Sequence, residues 1–153
     1  MKSTICLLSL LFCGHAFAYP GIGDVADYSG TAVIMGQEVQ FEKRIELIDF
    51  DAAANKFKKL EIYKQEGSRP TTEESWVSAD EFMSKQEQEH MLADCAGQGG
   101  TLEAVTVNAG QFLTCRFSND EGEFYNMGVV PFGLIKVSGE GWTMQLDHFS
   151  QGR

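Results

Sequence analysis

Val39-Gln40-Phe41-Glu42-Lys43-Arg44-Ile45-Glu46-Leu47-Ile48-Asp49-Phe50 is the stretch on which the fold class turns. Val39, Phe41, Ile45 and Leu47 share one parity, with Gln40, Glu42, Arg44 and Glu46 on the other. A two-residue period of this kind marks a strand buried on one face. Beyond Leu47 the apolar parity flips to Ile48 and Phe50. The flip predicts a bulge or bend near Leu47 in a long, curved strand.

Similar runs flank it. Ala26, Tyr28, Gly30, Ala32 and Ile34 alternate with Asp27, Ser29 and Thr31. Lys56 to Gln65 carries Leu60 and Ile62 on one side, and Thr72 to Val77 makes a short strand. Trp142, Met144, Leu146 and His148 alternate with Thr143, Gln145, Asp147 and Phe149, which places His148 at the end of a buried face. Turn residues separate these runs at 51–55, 66–70 and 139–141. The pattern predicts a mainly antiparallel sheet, curved or half-barrel in shape, with a closed lipocalin-like barrel as the alternative. One helix is expected over about 79–94. Ser78 and Glu81 form a capping box at its start, with Val77 and Phe82 at the staple positions, and Gly97 lies just past its end. Its polar composition leaves only a thin apolar stripe, so it should lie on the sheet with most of its surface wet.

Residues 1–18 read as an export signal. Lys2 precedes an apolar run over 5–12, and Ala16 and Ala18 give the A-x-A pattern cleaved after Ala18. The stretch is too short for a permanent membrane span, and no later window approaches one. The mature chain then begins at Tyr19 as a single domain over 19–153, either periplasmic or extracellular. Of the four cysteines, Cys6 and Cys13 leave with the signal. Cys95 and Cys115 remain, and an oxidising compartment predicts one disulfide between them, worth roughly 3 kcal/mol in the chain-entropy view.

Across the whole chain, 22 acidic residues face 12 basic ones for a formal charge of −10, which disfavours nucleic acid and anionic membrane surfaces as partners. Thr101 to Val107 and Gln111 to Phe117 read as two strands around Asn108-Ala109-Gly110. Past a second turn comes Gly128-Val129-Val130-Pro131-Phe132-Gly133-Leu134-Ile135-Lys136. A Val-x-Ala-Gly-x-Phe hairpin followed by Val-Pro-Phe-Gly-hydrophobic-hydrophobic-Lys resembles a group of exported bacterial proteins of largely unassigned function. The resemblance covers roughly residues 95–149. Asn108 stands where that group has proline, and Gln111 where it has threonine. It implies a half-barrel like that of periplasmic lipoprotein carriers, and brings no catalytic residues.

Reactive constellations are sparse. His90 with Glu87 and Asp94 reads as a solvated helix face rather than a metal site. Gly97 to Gly100 lacks the residues of a phosphate cradle, and Asn119 to Glu123 lacks a twelve-residue calcium loop. No metal or other cofactor is expected. Among the aromatic residues, Trp76, Phe132 and Trp142 are the candidate ligand-binding positions on a concave apolar face. The expected function is non-enzymatic binding in the cell envelope, of an apolar small molecule, a lipidated protein or another envelope protein. Two alternatives stand beside it, a structural or interaction protein with a filled core and a carboxylate-based hydrolase.

Overall fold

The computed structural model describes residues 20–152; the export segment read in residues 1–18 lies outside them. Nine strands form one antiparallel sheet: β1 (Val25–Ile34), β2 (Gln37–Asp51), β3 (Lys56–Gln65), β4 (Thr71–Ser78), β5 (Thr101–Val107), β6 (Gly110–Ser118), β7 (Phe124–Met127), β8 (Leu134–Gly139) and β9 (Trp142–Ser150). Their order is β4-β3-β2-β1-β9-β8-β7-β6-β5. Two meanders, β1–β4 and β5–β9, thus join at the β1–β9 pair. Strands β4 and β5 remain open edges, so the sheet is a half-barrel and does not close. The parity flip after Leu47 is a register shift between Leu47 and Asp49 against β3.

One face, here the inner one, carries Ala26, Tyr28, Ile45, Leu47, Ile135, Val137 and Leu146 in neighbouring strands. Ala26, Leu47, Ile135 and Leu146 are fully buried. The loop between β7 and β8 folds onto this face, with Val130 buried and Phe132 packed against the core. Tyr28 donates from its hydroxyl to the carbonyl of Leu134 at 3.2 Å. Burial pushes its phenol well above the usual tyrosine value. The tip of the β5–β6 hairpin closes on the same core: the Ala109 amide donates to the Leu146 carbonyl, and Phe112 meets Phe149 with ring centroids 6.1 Å apart.

The connection from β4 to β5 has to run from one sheet edge to the other, and it is not the single helix that the first capping box predicts. Ser78 and Glu81 do cap reciprocally, yet only a 3-10 turn over Ala79–Glu81 follows. Phe82 is extended, at φ −106° and ψ 131°. Ser84 and Glu87 then form a second capping box, starting α1 over Lys85–Ala93. The split frees Phe82 from the staple to pack between Phe57, 6.0 Å away, and Phe132, 5.8 Å away. Burying that ring across two elements outweighs one more helical turn. Glu87 is held below the usual carboxylate range by the Ser84 backbone and hydroxyl.

The helix docks through Met91 and Cys95 onto Cys115, Phe117 and Met127. The expected disulfide is present, with Cα atoms 5.6 Å apart. Gly100 is the residue on which it rests, since a Cβ there would collide with both sulfurs. That contact explains part of the glycine cluster at 97–100. Gln88, fully buried, donates to the carbonyls of Val130 at 3.0 Å and Met83 at 3.3 Å, pinning the β7–β8 loop to the helix. Among the described residues no helix is long and apolar enough to cross a membrane.

Candidate functional site

The apolar concavity expected to hold a ligand is largely occupied by the protein's own crossing segment, hairpin tip and β7–β8 loop. The three predicted ligand residues are not brought together. Trp76 pairs with Lys58 and alternates with Val77, so it projects from the outer face, 47% exposed. Phe132 lies on the inner face just before β8 begins. Trp142 is also inner but pairs with Gly139, the last residue of β8. It packs so closely there that a Cβ on Gly139 would strike the indole.

A groove of about 590 Å³ opens on the outer face instead. Strand alternation and register build it. Lys136, Gln145, Ser29, Glu42 and Lys64 are successive cross-strand neighbours over β8, β9, β1, β2 and β3. One pleat along, Thr143, Thr31 and Gln40 are neighbours in the same way, with Glu66 beside Gln40. Five strands at about 4.8 Å spacing make a polar ladder roughly 19 Å wide. Gly30 and Phe41, of the inward parity, also line it, and a Cβ on Gly30 would collide with the Thr143 carbonyl and the Phe41 ring.

Charges in the groove come as two lysines and two glutamates. Lys64 lies 3.6 Å from Glu42, and the Glu66 carboxylate accepts from the Gln40 amide at 3.5 Å. The remaining lining is the hydroxyls of Ser29, Thr31 and Thr143 and the primary amides of Gln40 and Gln145, which both donate and accept, together with Gly30, Gly67 and the Phe41 ring. A smaller hollow of about 310 Å³ shares Glu42 and Lys64 and continues over Asp27, Arg44, Ile62, Pro70 and Asp147. There Arg44 lies 3.3 Å from Asp27, and Asp147 accepts from Ser29 at 2.8 Å and Asn108 at 2.7 Å. Besides Tyr28 and Glu87, the described side chains with displaced pKa values include Glu61 on the inner face and Tyr125, whose phenol is raised by its bond to Glu123.

Other sequence candidates resolve as structural devices. Glu87 caps α1, and His90 lines a shallow hollow against the helix. The Asn119 side chain accepts from the amides of Glu121 and Glu123, so 119–123 is the expected turn. His148 is a correction. A register shift opposite Asp147 moves Phe149 into the core and leaves His148 66% exposed beside Asp27 at 3.5 Å.

The polar strand residues of the groove each have the outward parity in their own strand. Sequence gave no signal that they meet, because adjacency needs the register of five strands. No family model and no curated protein matches the chain. Among solved structures, a Bacteroides fragilis protein described as exported and as having a YmcC-like fold is similar. It aligns over 86% of this chain and 97% of its own, at 8% identity and a TM-score of 0.48. The fold class here rests on the strand order itself.

Proposed function

We propose that the chain is an exported, non-enzymatic binding protein of the cell envelope whose outer-face groove takes a net-neutral, hydroxyl-rich ligand. The carrying observation is the ladder of Ser29, Thr31, Gln40, Thr143 and Gln145 across the groove, with its two lysines balanced by two glutamates. Side chains that both donate and accept match ligand hydroxyls, which do the same. Balanced charge gives neither an anion nor a cation an electrostatic advantage. Export is supported by the Ala16 and Ala18 pattern and by the Cys95–Cys115 disulfide.

The test is an amide-shift titration with neutral oligosaccharides: chitohexaose, cellohexaose and maltohexaose. At least one should shift the amides of Ser29, Thr31, Gln40, Thr143 and Gln145, and Gln145→Leu should weaken it about fivefold to tenfold, as one lost hydrogen bond implies. Titrations with no shifts, or shifts confined to the inner face, would overturn the reading.

The apolar-ligand reading keeps one support, the half-buried inner-face row of Trp142, Ala32 and Val39 beyond the packed core. Native mass spectrometry of protein taken from its own envelope decides it. A few hundred daltons of apolar adduct, lost on denaturation, would favour it over the polar groove.

A further inference from the structure

The polar rows of the groove continue past β8. Thr143 pairs with Ser138 and Ser138 with Phe124, so the row of Gln40, Thr31 and Thr143 runs on through Ser138 to Phe124 in β7. Beside it, Lys136 pairs with Asn126. The register shifts of these strand pairs fall outside both rows, between Asp27 and Tyr28 and between Asn126 and Met127. Alternation therefore puts Phe124 on the groove's face. Phe124 is 42% exposed, and the other side chains of both rows are polar.

The ring is held in place. The Arg116 guanidinium carbon lies 5.3 Å from its centroid, a cation–π contact. Arg116 in turn lies 3.8 Å from Glu103, and Glu103 accepts from the Asn126 side-chain amide at 2.7 Å. A ring ordered before any ligand arrives gives up less freedom on binding. At the end of a row of hydroxyls and amides, it offers the flat apolar surface that the row lacks.

We propose that Phe124 is the stacking platform of this groove and that the ligand is a pyranose oligosaccharide. The inference rests on the hydroxyl-rich reading of the groove and narrows it. A pyranose ring carries hydroxyls around its rim and C–H groups on its faces. The rim suits side chains that both donate and accept. The faces suit an aromatic ring, whose negative π surface attracts C–H groups. A linear polyol has the hydroxyls but no face to stack. From Gln40 to Phe124 the row crosses four strand spacings, about 19 Å at about 4.8 Å each, which one sugar cannot span.

Titration of the signal-processed chain and two variants with chitohexaose, cellohexaose and maltohexaose tests this. A hexaose that shifts the amides of Ser29 and Gln145 should also shift that of Ser138. Phe124→Tyr keeps the ring and should keep the affinity. Phe124→Leu keeps the apolar character without the ring and should bind about tenfold more weakly. At saturation it should lose the Ser138 shift and retain those of Ser29 and Gln145. Unchanged affinity in Phe124→Leu overturns the platform and leaves the groove reading standing. So does an equal loss in both variants, which would mark lost packing rather than lost stacking. No shift with any hexaose overturns the groove reading and the platform together.

Discussion

In β1–β4 the side chains that face one another across the strands are largely charged. Lys43 lies 3.4 Å from Glu61 and Lys58 2.5 Å from Glu74 across strands, and Lys59 lies 2.8 Å from Glu61 along β3. In β5–β9 the corresponding places hold buried apolar groups, Val107, Cys115, Ile135, Val137 and Leu146, closed over by the Val130 loop, a helix and a disulfide. Exposed ion pairs contribute at most about 1 kcal/mol each, whereas a buried leucine contributes several times that. The second meander is therefore a packed body. The first shares that core through Val25, Ala26, Tyr28, Leu47 and Phe57 near the β1–β9 seam and becomes a charged ladder beyond it.

The largest effect expected from this contrast is at the seam. Leu146→Ala removes a fully buried side chain from β9 and should cost about 3–4 kcal/mol in urea unfolding. Both meanders should be lost in one transition. A second transition retaining β1–β4 would show that the ladder stands alone and would break the comparison.

Removing the disulfide comes next. Cys95→Ser with Cys115→Ser should cost roughly 3 kcal/mol, and hydrogen exchange should quicken first in α1 and β6. If the amides of β1–β4 opened first, the staple would be acting on the wrong half.

The smallest effect is electrostatic and belongs to the ladder. Burial pushes the Glu61 carboxyl up, but its bond to Lys59 and the charges of Lys43 and Lys59 outweigh that and leave it below the usual range. A carboxylate lowered on folding stabilises the fold fully above its unfolded value of about 4.3, and the gain fades as pH falls through the lower folded value. Glu61→Gln should thus lower stability by less than about 1 kcal/mol at neutral pH, and by nothing once both forms are neutral in acid. A difference that grew as the pH fell would reverse the assignment.

The strands were legible because alternation is local. Lys56 to Gln65 is read to the residue, and the parity flip after Leu47 locates a bulge. His148 was misplaced because its bulge is set by pairing with β1, more than a hundred residues away in sequence. The helix was read too long because the Ser78–Glu81 and Ser84–Glu87 capping boxes are equally good signals. Only the aromatic contacts of Phe82 decide between them. The same limit hid the groove and scattered Trp76, Phe132 and Trp142, since parity names a face within one strand and not its neighbours.

The β1–β9 seam also sets an order of events. Tyr28 pairs with Leu146, so the two central strands cannot meet until nearly all the intervening chain is available. Hairpins such as β2–β3 and β5–β6 can form and dissolve as they emerge, but the sheet lacks its middle until β9 arrives. A chain built in this way commits to its full compact shape only when its last strand arrives.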